Sequence, residues 1–424
     1  MNFGIVSLPL AGHLHPMIGL AQELQSRSHQ TTFFCLSDAE HTVRGAGLEF
    51  VPFGEKECPP GAATGAFAHL ATLQGADVLR FAFEGMHPRW CTAVLEGLPG
   101  KLKQAGVEAV LIDTIHFFAE LVPMSLGLPY VHIWDVLHFD FSGLTPFCAT
   151  GAPYETTLAA IARNTESARK FAQAYEPTRQ VAQRWAKKHG LQVDWDDPDA
   201  TLSKLAVITQ TPKVFDFPGV PTSAVFHYAG PLGGSEGRQA VPFAWERLDD
   251  RPLIYASMGT LVNGSEGVFR SILDAVGKLP QVQLVLSIGS NIDPGKLEPL
   301  PANAMVVPAV PQTDLLKRAA LCITHAGLNT VLEAISLGVP LVAIPVSFDQ
   351  PGTASRVAYH GLGEILSLEA LTSETVLATV RRVLETPSYR DHARYFQEAI
   401  ARNPGPAAAA DILERVLKGK VSLK

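Results

Sequence analysis

Three groups of polar residues in this 424-residue chain have types and spacings suited to chemistry. The first lies in residues 321–350, LCITHAGLNTVLEAISLGVPLVAIPVSFDQ. An apolar run, Leu321–Ile323, is broken by Thr324-His325-Ala326-Gly327, and a helical pattern follows from Asn329 to Leu337 with Val331, Leu332 and Ile335 on one side. Gly338 ends that helix, and Val339–Val346 is a second apolar strand. In an open parallel sheet such a turn leaves backbone N–H groups and the positive helix end facing a crevice. That is a site for an anion, most simply a diphosphate. His325, Gly327, Asn329 and Thr330 stand at that end. Glu333 lies further along the helix, near the reach of a ribose. Asp349-Gln350 follows the next strand and should return to the same sheet edge.

The second group is Tyr255-Ala256-Ser257-Met258-Gly259-Thr260. Small residues at a strand end let the backbone approach a phosphate, although an ordinary turn has the same composition. The third is Gly12-His13-Leu14-His15-Pro16 after the first apolar run. Pro16 should open a helix, its favoured position, which puts His13 in the first strand-to-helix turn. Histidine titrates near neutral pH and suits general-base work. Asp113 ends the fourth strand-like run and would lie at the same carboxyl edge, where a carboxylate on Nδ1–H fixes the tautomer and stabilises the imidazolium.

These groups need a frame to hold them. Strand-like runs recur between helical ones at Phe3–Leu8, Thr31–Leu36, Glu49–Phe53, Ala109–Asp113, Tyr130–Trp134 and Leu205–Thr209. In the second half they are Leu253–Ser257, Gln283–Ile288, Met305–Pro308, Leu321–Ile323, Leu341–Ile344 and Glu364–Leu366. Alternating strands and helices imply parallel sheets with right-handed crossovers, and two such sets imply two doubly wound α/β domains. The length agrees with two domains. The expected division is 1–230, a linker at 231–245 within the run GPLGGSEGRQAVP, 246–390, and C-terminal helices over 391–424 interrupted by Asn403-Pro404-Gly405-Pro406.

Composition narrows the function. A net charge of −7 without a long basic run disfavours nucleic acid. Five cysteines, an odd number with no Cys-x-x-Cys, read as reduced structural thiols of a cytoplasmic protein. The apolar N-terminus lacks a basic region and is interrupted by Gly12, His13, His15 and Pro16, unlike a signal peptide. No apolar run approaches the roughly 20 residues of a membrane span. His13 and His15 would point about 200° apart on a helix, and no third ligand is evident, so no metal is expected. Asp194-Trp195-Asp196 mimics a metal-binding Asp-x-Asp, yet sits in an acidic loop with no strand before it.

The stretch Pro311-Gln312-Thr313-Asp314-Leu315-Leu316, His325-x-Gly327-x-Asn329-Thr330-x-x-Glu333, Gly338-Val339-Pro340, Pro345 and Asp349-Gln350 resembles the donor-binding signature of UDP-sugar-dependent glycosyltransferases that act on small lipophilic molecules. It is most similar to the bacterial macrolide and zeaxanthin (carotenoid) glucosyltransferase group. Gly12-His13-x-x-Pro16 and Leu111-Ile112-Asp113 with Phe117-Phe118-Ala119 are similar to that family's base and partner motifs.

The resemblance implies the GT-B fold, two Rossmann-like domains facing across a cleft, with a C-terminal helix crossing back to the first domain. It implies an inverting transfer of a hexose, glucose foremost, from a UDP-sugar co-substrate to a hydroxyl, with His13 as base, Asp113 as partner and no metal or other cofactor. Ser257, Gly259, Thr260, Val310, Gln312, His325, Gly327, Asn329, Thr330, Glu333, Asp349 and Gln350 would hold the donor. Phe67, Phe83, Trp90, His116, Trp134 and Phe139 are candidates for an apolar acceptor pocket. A carotenoid acceptor would imply peripheral membrane contact, which no strongly amphipathic basic helix demonstrates. Ala309 stands where the family usually places an aromatic that stacks on uracil, so nucleotide preference is open. A nucleotide-sugar hydrolase or epimerase on the same scaffold is the alternative.

Overall fold

Two parallel sheets organise the computed structural model, which describes residues 1–419 apart from 74, 234–240, 260–265, 290–291 and 404. The first contains β1 (Asn2–Val6), β2 (Gln30–Cys35), β3 (Glu49–Pro52), β4 (Ala109–Asp113), β5 (Tyr130–Trp134), β6 (Val207–Thr209) and β7 (Phe226–Tyr228), in spatial order β3-β2-β1-β4-β5-β6-β7. The second contains β8 (Leu253–Ser257), β9 (Gln283–Ser287), β10 (Ala304–Val307), β11 (Ala319–Thr324), β12 (Leu341–Ala343) and β13 (Gly363–Ile365), in order β10-β9-β8-β11-β12-β13.

The strands read as continuous apolar runs because both faces of each sheet are covered. Alternate residues of β4 feed two separate cores: Ala109 and Leu111 one, Val110 and Ile112 the other. In β8, Leu253 and Tyr255 divide from Ile254 and Ala256 in the same way. Strand order reverses between β1 and β4 in the first sheet and between β8 and β11 in the second. Crevices open at such switch points, outside the carboxyl ends of the strands. His13 and Asp113 follow or end the first pair; Ser257 and His325 end or follow the second.

The sequence reading placed the strands to within two residues at most ends, with two differences. It missed β7, a three-residue edge strand between the loop 218–225 and Ala229. It also placed His13 before the helix, whereas the helix is Ala11–Ser26 and already contains His13 and Pro16. Of the expected linker, 234–240 lies outside the described residues.

Among the described residues the two halves are joined at several places away from the switch points, two of which stand out. The final helix, Gly405–Leu417, lies against Ala11–Ser26 and buries Ala409, Ala410 and Leu413 in a core of the first sheet. Arg27 Nη1 meets Asp411 at 2.5 Å and Glu414 at 3.3 Å beside that seam. Exposed pairs of this kind add little, so apolar burial carries the docking. The second joint is the helix Gln350–Tyr359: Gly352 N donates to Cys148 O at 2.9 Å and Ser355 Oγ to Ala152 O at 2.8 Å. A Cβ on Gly352 would come within 2.2 Å of the Cys148 oxygen, which explains glycine there. One turn on, Arg356 makes a buried ion pair with Asp216. Among the described residues no helix is long and apolar enough to cross a membrane, and all five cysteines are free and buried.

Candidate active site

His13 is held at the end of β1 by the start of its helix, where its N–H donates to Leu10 O at 2.9 Å. Its Nδ1 lies 3.0 Å from Asp113 Oδ2 and 3.1 Å from Asp135 Oδ1, between the two carboxylates and pointing squarely at neither. The carboxylates reach this point because β4 and β5 pair in parallel, Asp113 opposite Ile133, so Asp135 emerges two residues beyond on the same edge. Asp113 is the better solvated by protein: Oδ2 accepts Leu8 N at 3.2 Å and Oδ1 accepts Ile115 N at 3.0 Å. Neither Asp135 oxygen has a hydrogen-bond donor in good geometry among the described residues.

These surroundings sort the protons. Burial pulls the His13 pKa down, but the attraction of Asp135 and then Asp113 outweighs it and leaves it well above the ordinary value. Burial works to raise Asp113, but His13 and the Ile115 N–H outweigh it and keep it ionised. Burial and repulsion from Asp113 push Asp135 up to about 7. With Nδ1 protonated toward the carboxylates, Nε2 carries the lone pair that can take a proton. His87 and His116, pushed by burial to about 3 and about 4, stay neutral.

The donor-side turn is built around His325. Ala326 adopts a left-handed φ of 62°, and Thr324 Oγ1 accepts its N–H at 3.2 Å. Backbone strain of this sort persists where surrounding structure fixes it. Phe348, another non-glycine residue with positive φ, flanks the expected site residue Asp349. The His325 ring lies against two glycines: a Cβ on Gly259 would be 2.5 Å from Nε2, and one on Gly327 2.4 Å. Burial pushes His325 down to about 4, with a small opposing effect of the Ser257 carbonyl. It is therefore a neutral N–H donor. It can meet a negative charge through that N–H rather than as a cation. Substituting Gly259 with alanine should displace the imidazole and strain the φ of 75°. We expect UDP affinity to fall at least about tenfold by calorimetry; an unchanged Kd would remove this loop from the donor site.

Gln312, Thr330 and Glu333 converge as expected. Gln312 Nε2 donates to Glu333 Oε2 at 2.8 Å and reaches Thr330 Oγ1 at 3.5 Å, while its Oε1 accepts Tyr255 OH at 2.7 Å. Val310 is half-buried at the end of the loop after β10, and Ala309 is exposed beside it. Asp349 and Gln350 each make contacts to backbone N–H groups. Asp349 Oδ2 accepts Leu137 N from the first half at 3.3 Å. Gln350 Oε1 accepts Val346 N at 2.9 Å and Ser347 N at 3.0 Å, so it ties its own loop. Thr260 lies outside the described residues.

The turn that holds His13 and the turn that holds His325 meet. Pro16 has no N–H for the carbonyl four residues before it, so Gly12 O is left without its helical partner. Asn329 Nδ2 of the donor turn fills that vacancy at 2.6 Å, and Asn329 Oδ1 accepts Gln210 Nε2 at 2.8 Å. The Gly327–Thr330 turn thus contacts the residue preceding His13.

Five of the six acceptor candidates fall in one aromatic network, His116 being the exception. Phe67 packs on Trp90, Trp90 on His87, and His87 on Phe83 and Phe117; Phe117 continues to Phe139, which packs on Trp134. A π-helical turn, Phe81–Met86, precedes Pro88, which cannot donate to Glu84 O, and aims Phe83 and His87 inward. Trp90 is also core, packed with Leu95 and Leu98. His116 is buried 5.9 Å from the Phe53 ring. Sequence reasoning missed Tyr175, whose ring centroid is 3.9 Å from that of Phe117, and the contact of His87.

Asp135 was missed as well, although the signal that found Asp113, a carboxylate at a strand end, applies to it equally. Its presence corrects the expectation that His13 has no further potential ligands. Among the described residues His13, Asp113 and Asp135 form the one cluster whose ligand atoms lie within 4.8 Å of one another. Asp113 already spends both oxygens on backbone N–H groups, and Nδ1 shares its proton with the carboxylates. The donor set therefore fits a proton better than a cation. Asp194–Asp196 is an exposed or half-buried turn, with Trp195 packed on Phe118.

Comparison with known proteins agrees over almost the whole chain. The profile of the family described as "UDP-glucoronosyl and UDP-glucosyl transferase" matches residues 192–398. A zeaxanthin glucosyltransferase of Pantoea ananas is 30% identical over 418 residues, covering 98% of this chain and 96% of that protein. A demethyllactenocin mycarosyltransferase of Streptomyces fradiae is 28% identical, covering 97% and 85%. The crystal structure of CalG4, the calicheamicin glycosyltransferase, superposes with a TM-score of 0.75 at 24% identity, covering 98% of each chain. That structural likeness establishes the architecture, two facing parallel-sheet α/β domains of GT-B type.

Proposed function

The chain belongs to the UDP-glucoronosyl and UDP-glucosyl transferase family and is a glycosyltransferase, and from that premise we propose an inverting transfer of a hexose, glucose foremost, from a UDP-sugar to a hydroxyl of a lipophilic small molecule. The relatives named for zeaxanthin and for a macrolide favour a carotenoid, other terpenoid, polyketide or phenol as acceptor. The observation that carries the reading is the Nε2 of His13, left free by two carboxylates on Nδ1, one residue from the contact with the donor turn.

In the proposed reaction the diphosphate lies at the Gly327–Thr330 turn, where the helix end and the neutral His325 N–H meet its charge. Glu333, oriented by Gln312, binds ribose hydroxyls. Asp349 and the loop tied by Gln350 hold the sugar. The acceptor oxygen loses its proton to His13 Nε2 and attacks the anomeric carbon from the face opposite the nucleotide. The bond from that carbon to the phosphate oxygen breaks, and its electron pair leaves with UDP. Asp113 holds the imidazolium. The buried aromatics around Phe117 receive the acceptor's apolar body.

The base works only when neutral. Because His13 is raised above the ordinary histidine range, kcat/KM should fall on the acid side of a limb that itself lies above that range. A pH profile with its limb below the ordinary value would contradict the assignment. The decisive experiment is a transfer assay with EDTA present, offering several nucleotide sugars against phenols and hydroxylated terpenoids. Mass detection of conjugates and NMR of the new anomeric centre are the readouts. Free sugar formed regardless of acceptor, or retained configuration, would overturn the proposal.

A further inference from the structure

Asp135 lies deeper in the first half than its neighbours require. Its side chain is fully buried, and its oxygens have no donor in good geometry. Only its backbone oxygen is engaged, by Gln210 Nε2. A buried carboxylate without donors is costly and contributes nothing to the packing that an apolar residue would not do better. Its close polar contact is His13 Nδ1 at 3.1 Å, while Asp113 holds the same nitrogen at 3.0 Å. A single aspartate would line the N–H up with one oxygen. Here Nδ1 lies between two.

We propose that Asp135 is a second positioning carboxylate for His13, sharing the Nδ1 proton with Asp113 and holding the imidazolium that forms when Nε2 takes the acceptor's proton. The inference rests on the reading of His13 as base. Asp135 touches no reacting atom and exchanges no bond with substrate; it changes the basicity and the orientation of the group that does. Asp113, braced by Leu8 N and Ile115 N, is the permanent anion. Asp135, unbraced, takes or releases a proton according to the charge on its neighbours, and burial with repulsion from Asp113 places that change near neutral pH. An ionised Asp135 then shares with Asp113 the charge that the imidazolium carries. Among the described residues the other titratable groups facing it are His116 beyond β4, His87 on the helix His87–Gln104, Cys35 at the end of β2, Tyr175, and Asp349 from the second half; the two histidines stay neutral, and burial raises Cys35, Tyr175 and Asp349.

Asp135→Asn removes the charge at nearly constant volume. In steady-state assays across pH, the acid limb of kcat/KM is expected to move down by about one pH unit or more, because His13 loses the attraction of one of the two carboxylates that raise it. The plateau kcat is expected to fall about tenfold or more, with KM for the UDP-sugar within about twofold. An unmoved limb, whatever the plateau rate, would overturn the proposal, since a residue that only packs does not set the pKa of His13. If the variant does not fold, the wild type carries the same test. The His13 imidazole resonances, assigned by their loss in His13→Ala, should show a second inflection near neutral pH from Asp135. A single inflection would overturn the proposal. Near-normal turnover of His13→Ala would instead remove the base reading itself, so the two failures are distinguishable.

Discussion

His13→Ala is expected to lower kcat by about three to four orders of magnitude while leaving UDP affinity within about threefold of the wild type. The size follows from what the side chain does. An alcohol attacks poorly while protonated, and Nε2 is the basic atom of the cluster with its lone pair free. Asp113 and Asp135 cannot substitute: both are directed at Nδ1 and buried behind the imidazole. The remaining rate comes from the donor half, where the Gly327–Thr330 turn and the His325 N–H still meet the diphosphate. UDP affinity should survive because the link between the halves at this point uses backbone. Asn329 donates to the Gly12 carbonyl, which alanine at position 13 leaves in place. Single-turnover chemistry and calorimetric UDP binding check both parts. Turnover within about tenfold of wild type would sink the role of His13, and lost UDP binding with lost turnover would show a folding defect instead.

The strands and the individual sites were legible in the sequence because each rests on local pattern. Ala109–Asp113 and Leu253–Ser257 are apolar runs closed by a polar residue, and the structure reproduces their bounds. The strand-turn-helix at Thr324–Asn329 likewise follows from its glycine and helical periodicity. What sequence could not give was the docking of one half on the other. The side-chain carbonyl of Gln350 closes its own loop, a choice of rotamer that no spacing records. Asn329 reads as a phosphate-turn residue; that its amide also completes a carbonyl orphaned by Pro16 depends on how the two sheets face each other. β7 was missed because Phe226-His227-Tyr228 is short and follows a proline-rich loop, and it is fixed by pairing with β6 rather than by its own propensity. Asp135 is a different case. The rule was available, and Asp113 had already satisfied the need for one partner, so the second carboxylate at the next strand end went unread.

Arg356→Met is expected to destabilise the protein by about 3–5 kcal/mol, because it leaves a buried carboxylate without its cation. Arg356 and Asp216 are each about 2% exposed at the side chain. The guanidinium donates through Nε at 3.1 Å and Nη2 at 2.8 Å to Asp216 Oδ1 and lies 4.3 Å from the Phe217 ring centre. Tyr228 OH donates to Oδ2 at 2.9 Å, and His138 Nε2 lies 3.4 Å from the same oxygen. Arg356 comes from the helix of the second half and the other groups from the first, so the variant loosens the joint. The pH dependence fixes the cause. In the wild type, burial works to raise Asp216, but His138 and Arg356 outweigh it and hold it below the ordinary carboxylate value. Its contribution is full above the unfolded value, about 3.9, and is lost only as pH falls through the lower folded one. In Arg356→Met the nearest replacement cation is His138, which burial and Arg356 now depress. With the guanidinium gone its folded pKa should rise above the unfolded one. That contribution is present below about pH 6.5 and lost as pH rises through the folded value. The deficit measured by urea titration should therefore be larger at pH 8 than at pH 6. The double variant Arg356→Met/Asp216→Asn should recover most of it, because neither charge is then stranded. A single-variant deficit below about 1 kcal/mol, or one independent of pH, would mean that water reaches Asp216 and that this ion pair is not what holds the joint.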